Sequence, residues 1–260
     1  GPSRRSVMNL DLKNKVAMVT GAGSQIGFGK ATALTLAQEG CDVVVIDKDQ
    51  EGAEQTAAEV RALGRRAMVA RVDVTNKDEV NAAVERILEE FGKIDILVNI
   101  AGGTIPHKPF VDKTEAEWDM DLNLNLRGTL YCIKAVLPHM LSRKSGKIVN
   151  TTSVNVIKGF PTTSIYATAK SGIAGFTRVL ANEVAALGIN VNCIAPGLAL
   201  TNFDPGGGPP GGFETVINGI PNKRPTTPQD VANTVAFLVS DVSSDIVGQN
   251  IYIDGGTSIV

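Results

Sequence analysis

The chain has 260 residues, 43% of them hydrophobic and 20% charged, with a formal net charge of −2. That balance suits a globular chain with a large core and gives no general attraction to nucleic acid or an anionic membrane. No apolar run approaches the ~20 residues that span a bilayer, and no secretory signal precedes "LKNKVAMVTG", so a cytoplasmic location is expected.

Residues 1–7, "GPSRRSV", read as an expression scar, and one domain is expected over 8–260. "KVAMVT" (15–20) has the look of a strand and enters the glycine-rich turn "TGAGSQIGFGKA", which a helix near Lys30–Glu39 leaves. "CDVVVID" (41–47) then precedes the helix-like "QEGAEQTAAEVRALG", and "RAMVARVDV" (66–74) precedes "NKDEVNAAVERILEEFG". "IDILVNIAG" (94–102) is followed by a long helical region from about Thr114, and "GKIVNTTS" (146–153) by "SIYATAKSGIAGFTRVLANEVAALG". After "INVNCIAPG" (189–197) come a loop, a helix at 227–240 and a last strand, "NIYIDGG" (250–256). Strands that are apolar at nearly every position belong to a parallel sheet buried on both faces. Seven of them with helices between predict an α/β fold with a doubly wound sheet and right-handed crossovers.

The stretch 201–214, "TNFDPGGGPPGGFE", is expected to be a loop, because its glycines and prolines continue neither helix nor strand. It follows the C-terminal end of a parallel strand, where ligands bind in open α/β sheets, which favours a substrate lid over a tolerated insertion. Cys41, Cys132 and Cys193 lie far apart in apolar segments and form no metal or disulfide pattern, so they read as buried thiols. With two histidines in the whole chain, no metal site is expected.

Spacing resolves the glycine turn. Gly29 stands eleven residues before Gly40, a natural helix terminator, and eighteen before Asp47 at the end of the second strand. A dinucleotide fingerprint expects its acidic residue about 20 residues on. The set is therefore Gly21, Gly27 and Gly29, with Gln25 and Ile26 lengthening the turn. Gly21 allows the tight turn, and Gly27 and Gly29 let the helix start approach a pyrophosphate, with Ser24, Gln25 and Phe28 beside it. Asp47 is placed to bond the adenosine ribose hydroxyls and to repel a 2′-phosphate. That favours NAD, and Lys48 is the one basic neighbour against it.

"YATAK" carries the chemistry. Tyr166 and Lys170 are four residues apart at a helix start and share one face. A free phenol titrates near ~10, and a neighbouring ammonium makes it a better base. Ser153, thirteen residues earlier at a strand end, can hold a carbonyl or alcohol oxygen next to that phenol.

From about Leu10 onward the chain resembles the short-chain dehydrogenase/reductase family. The matching pieces are "TGAGSQIGFG", "DVT" (73–75), "NIAG" (99–102), "NLR" (125–127), Ser153 with "YATAK", "APG" (195–197) with Thr201, and "IDGG" (253–256). The resemblance implies a seven-stranded Rossmann-like sheet and a nicotinamide cofactor. It makes Tyr166 the acid/base and Ser153 the holder of the substrate oxygen. Lys170 would lower the tyrosine pKa and bind the nicotinamide ribose, and Asn125 would hold a relay water. It also places Asp73 and Val74 at the adenine, Asn99, Ala101 and Gly102 along the cofactor groove, and Pro196, Gly197 and Thr201 at the nicotinamide. Two departures stand out: the longer glycine turn, and Ile100 where the family often has a second asparagine, a position expected to face packing.

The expected reaction is NAD-dependent hydride transfer between a secondary alcohol and a ketone. The alternatives are an NADPH-dependent 3-oxoacyl reductase, acting on acyl carrier protein or CoA substrates, and a non-catalytic dinucleotide-binding subunit. Thr104, His107, Asn155 and Phe160 are the candidate substrate contacts. His107, Lys108 and Lys158 together could attract an anionic substrate, although an ordinary surface turn and a solvated lysine explain them better. Trp118 reads as a packing residue. A homotetramer is expected from the resemblance, with the helices around 114–142 and 164–187 suited to it.

Overall fold

Each β-branched run finds the next in register, and together they form one parallel sheet. The strands are β1 (Val16–Thr20), β2 (Asp42–Asp47), β3 (Ala67–Arg71), β4 (Ile96–Asn99), β5 (Gly146–Thr151), β6 (Ile189–Pro196) and β7 (Asn250–Ile253). Their spatial order is β3-β2-β1-β4-β5-β6-β7, so the chain winds outward from β1, then returns to pair β4 against it and winds the other way. The computed structural model describes residues 8–103, 107–201 and 212–260. The expected expression scar, Thr104 and most of the expected lid therefore lie outside the described residues.

The helices are α1 (Phe28–Gln38), α2 (Gln50–Ala62), α3 (Lys77–Phe91), α4 (Glu115–Leu122), α5 (Gly128–Arg143), α6 (Asn155–Lys158), α7 (Ser164–Val184), α8 (Gly212–Gly219) and α9 (Pro228–Leu238). Several start where the sequence provides a cap. Asn76 accepts bonds from the Asp78 and Glu79 amides ahead of α3, and Thr114–Glu117 and Thr227–Asp230 form reciprocal capping boxes for α4 and α9. Among the described residues no helix is long and apolar enough to cross a membrane.

The side chains of the central strands alternate between two cores. Val16 and Met18 of β1 pack with Ile87 of α3, Val136 and Met140 of α5 and Leu180 of α7. Ala17 and Val19 pack on the other face with Leu36 of α1, Ala57 and Val60 of α2 and Val235 of α9. Both faces are thus covered, as the non-alternating strands require. Cys41, Cys132 and Cys193 are buried in these layers, where desolvation pushes each thiol up to about 12.

Several details differ from the sequence expectation. β4 ends at Asn99, β5 at Thr151 and β7 at Ile253, short of the 102, 153 and 256 read for them. β3 ends at Arg71, not at 74, because its partner β2 ends at Asp47, and Asp47↔Arg71 is the last register pair. The chain then turns at Asp73, whose carboxylate accepts both the amide and the hydroxyl of Thr75. The long helix after Thr114 is interrupted by a π-helical turn at Asn123–Arg127. The short α6 was not expected. Finally, Gly212, Phe213 and Glu214, read as part of the loop, are helical and open α8.

At the edge formed by the strands' N-terminal ends, Asp95 just ahead of β4 is buried, with 5% of its surface exposed. Its carboxylate accepts the Val16 amide at 2.8 Å, Lys93 Nζ at 3.0 Å and an Arg143 guanidinium nitrogen at 3.0 Å. Burial pushes its pKa up, but these donors outweigh burial and hold it below the ordinary value. Asp95→Ala is expected to lower stability by about 2–3 kcal/mol at neutral pH, since it strands two partly buried cations and a strand amide. A depressed carboxylate pKa contributes stability above its unfolded value and loses it as pH falls through the folded one. Urea unfolding at pH 7 and in acid should therefore show the gap between variant and wild type closing below pH ~4.

Candidate active site

At the opposite edge, β1 and β4 lie side by side while their following segments diverge, the place where open α/β sheets hold ligands. Gly21 leaves β1 with φ +68°, and a Cβ there would lie 2.7 Å from the Ala101 amide nitrogen. The backbones after β1 and β4 are therefore in direct contact. Thr20 Oγ1 ties them further by accepting the Ile100 and Ala101 amides, both at 3.1 Å. Gly27 is the N-cap of α1 and supplies no side-chain cap, and the first turn of α1 carries no acidic residue. A Cβ on Gly29 would overlap the Gly21 carbonyl oxygen and lie 2.6 Å from its carbon. Gly21 and Gly29 thus stand where the backbone leaves no room for a side chain.

Of the two extra residues, Gln25 has a structural role. Gln25 Nε2 donates to the carbonyls of Gly23 (2.8 Å) and Gly52 (2.9 Å), and its Oε1 accepts from Lys30 Nζ (2.7 Å), which is also paired with Glu59. Gln25 therefore braces the turn against α2, with its side-chain amide engaged by protein. Phe28 opens α1 and packs against the α1/α9 core. Ser24 Oγ is buried without a protein partner among the described residues. Asp47 Oδ2 accepts the Gly23 amide at 2.8 Å and Oδ1 accepts the Asp49 amide at 3.0 Å, so the carboxylate is fixed beside the turn. Gly23 was not singled out in the sequence, yet a Cβ there would lie 2.8 Å from the Asp47 carboxyl carbon.

Tyr166 and Lys170 do share a face of α7, and both are buried. Tyr166 is hydrogen-bonded to the Ser153 side chain. Lys170 Nζ donates to the Thr151 carbonyl at 3.0 Å and lies 5.7 Å from the centroid of the Tyr166 ring. Burial pushes the phenol above its ordinary value, against the Ser153 bond, with Asp121 adding to the rise. Burial likewise pulls Lys170 down to about 8, opposed by Cys193 and Asp121. In the protein alone, then, burial outweighs the Ser153 bond, and the lowering of the phenol expected from Lys170 is not seen.

Asn125 sits in the π-helical turn, fully buried. Its amide accepts the Gly103 N–H (3.1 Å) and donates to the Gly103 carbonyl (2.8 Å) and to Asp121 Oδ1 (2.7 Å). A Cβ on Gly102 would lie 2.9 Å from Asn125 Oδ1 and 3.4 Å from Lys170 Nζ, which puts all three groups in one place.

Other candidates fall around this centre. Asn99 at the end of β4 donates to Asn150 Oδ1 (2.9 Å) inside the sheet, and Ile100 packs on the core as expected. Asp73 holds its own turn, while the Val74 side chain is buried against Gly128. Pro196 ends β6, Gly197 donates to the Ile253 carbonyl at 2.9 Å, and Thr201 follows at the end of the described segment. Of the candidate substrate contacts, His107 and Phe160 are exposed. Asn155 is not: its amide is spent on Thr163 Oγ1 (2.6 Å) and the Phe160 N–H (3.0 Å), which ties the Ser153 loop to the start of α7. Lys108 is paired with Glu117 at 2.6 Å and Lys158 bonds the Val260 backbone oxygen, which favours the bland reading of both lysines. Trp118 stacks on Phe110 with ring centroids 5.2 Å apart, a packing contact.

A family profile described as enoyl-(acyl carrier protein) reductase matches residues 21–258. Among curated proteins, the chain is 40% identical to the (2S)-[(R)-hydroxy(phenyl)methyl]succinyl-CoA dehydrogenase subunit BbsD of Thauera aromatica, over 96% of this chain and 99% of that one. It is 38% identical to the 3-oxoacyl-[acyl-carrier-protein] reductase FabG of Thermotoga maritima, over 95% and 99%. Among solved structures, carveol dehydrogenase from Mycobacterium avium in complex with NAD aligns with a TM-score of 0.88 at 30% identity, over 95% of this chain and 99% of that one. Likeness of this extent, in sequence as in fold, leaves one assignment: the chain belongs to the short-chain dehydrogenase/reductase family and is an oxidoreductase acting on CH–OH groups.

Proposed function

We propose that this protein is an NAD-dependent oxidoreductase interconverting a secondary alcohol and a ketone. The observation that carries the reading is the buried Tyr166 phenol, hydrogen-bonded to Ser153, with buried Lys170 on the same face of α7, set beside the glycine turn. The turn fits a dinucleotide on its own features. Gly29 leaves no room for a side chain, the α1 N-terminus has no side-chain cap, and Ser24 Oγ is buried without a protein partner. NAD, when bound, supplies the hydride acceptor for alcohol oxidation.

The remaining work falls to side chains. Ser153 holds the substrate oxygen beside the Tyr166 phenol, and Tyr166 takes the hydroxyl proton during oxidation or returns it during reduction. Lys170, held by the Thr151 carbonyl, favours the phenolate and reaches toward the nicotinamide ribose. Asp47, fixed by two amides, accepts from the adenosine ribose hydroxyls. A homotetramer in the cytoplasm is part of the proposal. Val179, 60% exposed on α7, and Leu187 just beyond it are apolar side chains that such an interface would cover.

Cofactor choice separates this reading from an NADPH-dependent 3-oxoacyl reductase, which the similarity to the Thermotoga maritima protein favours. A 2′-phosphate at Asp47 would face a carboxylate, with Lys48 the basic neighbour and Lys30 engaged by Gln25 and Glu59, so NADH is expected to bind about a hundredfold more tightly than NADPH. Fluorescence titration with each nucleotide measures this, and Asp47→Ala should narrow the gap. Equal affinity or a preference for NADPH would instead support the reductase, and acetoacetyl-CoA and cyclohexanone then serve as the first ketones to assay. Binding of neither nucleotide would favour a non-catalytic subunit.

A further inference from the structure

Asp121 is a carboxylate in an unexpected place: only 1% exposed, at the end of α4, one helical turn before Asn125. Its Oδ1 accepts from Asn125 Nδ2 at 2.7 Å, the shortest of that amide's three bonds. We propose that Asp121 is a positioning residue for the reaction: its buried carboxylate fixes the Asn125 amide in one orientation and thereby holds Gly102 and Gly103 against Lys170. The inference rests on the reading of Tyr166, Lys170 and Asn125 as the reacting centre.

The geometry supplies the reason. A primary amide can present its oxygen or its nitrogen on either side, and hydrogen bonds decide which. A carboxylate accepts and cannot donate, so the Asn125 nitrogen must point at Asp121 and its oxygen at the Gly103 N–H. The second hydrogen on that nitrogen then meets the Gly103 carbonyl. One carboxylate thus fixes both polar groups of a glycine whose neighbour borders Lys170 Nζ. The π-helical turn contributes by carrying Asn125 inward between two α-helical segments.

The charged groups around Asp121 fit this role. Burial raises its pKa, opposed by the Asn125 bond and by Lys113, Lys170 and His107, and Tyr166 is the other titratable group it acts on. Lys113 is itself buried, so the carboxylate shares its site with two buried lysines. A hydrogen bond to an ionised acceptor in such surroundings holds geometry more firmly than a neutral one.

The test compares Asp121→Asn, which keeps an oxygen acceptor of the same shape, with Asp121→Leu, which removes it. Hydrogen exchange at the Gly103 amide is measured in the NADH-bound protein, together with kcat and KM on acetoacetyl-CoA or cyclohexanone, whichever the wild type reduces. Asp121→Leu is expected to speed Gly103 exchange and to lower kcat about tenfold or more, with NADH affinity unchanged. Asp121→Asn should restore most of both. If Asp121→Leu fails to bind NADH, Asp121→Ala, which adds no bulk, carries the same comparison. Unchanged Gly103 exchange without the acceptor overturns the proposal, as does an Asp121→Asn variant as impaired as Asp121→Leu. Full activity in Tyr166→Phe would sink the reading of the reacting centre instead, a result the exchange rates do not depend on.

Discussion

Replacing Tyr166 by phenylalanine is expected to lower kcat by about a thousandfold while NADH still binds. The change removes one oxygen from a buried ring and leaves its packing in place, so folding should survive. What disappears is the group proposed to exchange a proton with the substrate oxygen, and the bond it makes with Ser153. Neither neighbour can substitute. Ser153 is a far weaker acid than a phenol, and Lys170 Nζ is held on the Thr151 carbonyl. Steady-state rates at saturating NADH, in parallel with an NADH titration, separate chemistry from binding. Loss of affinity with kcat retained would show that the hydroxyl serves the cofactor alone.

The second large effect is expected at Gly29. A methyl group there would have to occupy the position of the Gly21 carbonyl oxygen, with Ala22 Cα at 2.8 Å behind it. The obstacle is backbone and cannot rotate away, so α1 must lift from the turn or the turn must open. Both movements disturb the contact of α1 with α9 and the core around Leu36. Gly29→Ala should therefore cost about 3 kcal/mol or more of stability and abolish measurable NADH binding. Gly219→Ala is the control. That glycine is exposed at the last position of α8 and a Cβ there meets nothing within 4 Å, so helix propensity should make the change neutral or stabilising by about 0.5 kcal/mol. Thermal unfolding of both variants, with and without NADH, measures the contrast.

The parts of this molecule that were legible in the sequence share a cause. The alternation of strands and helices and the positions of Gly29, Tyr166 and Lys170 follow from local periodicity and fixed spacing, which survive into the fold because short connections keep neighbouring elements together. Asp121 was not legible. "EAEWDMDLNLN" holds four acidic residues, and nothing in their spacing says which one turns inward, since that depends on the π-helical turn that begins two residues after Asp121. Gln25 was placed beside the phosphates because the turn is linear in sequence, whereas its brace on Gly52 comes from α2, 27 residues on. Asn155 looked like a pocket residue for the same reason, and its role depends on Thr163 folding back over it. The end of β3 was misjudged because a strand stops where its partner stops, and β-propensity carries no record of that.

The arrangement around Asp95 has a consequence for how such a protein can change. Its ion pair with Arg143 and its bond to the Val16 amide fasten β1, β4 and α5 together at the rim away from the glycine turn, whereas the glycine turn, Ser153 and the segments after β4 and β6 hang from the other rim. Rigidity is thus vested at one end of the strands and chemical novelty at the other, with two buried layers between them. A lineage can remodel the segments that meet a new substrate without drawing down the reserve that keeps the sheet assembled. Specificity in such a protein is free to drift while its framework stays still.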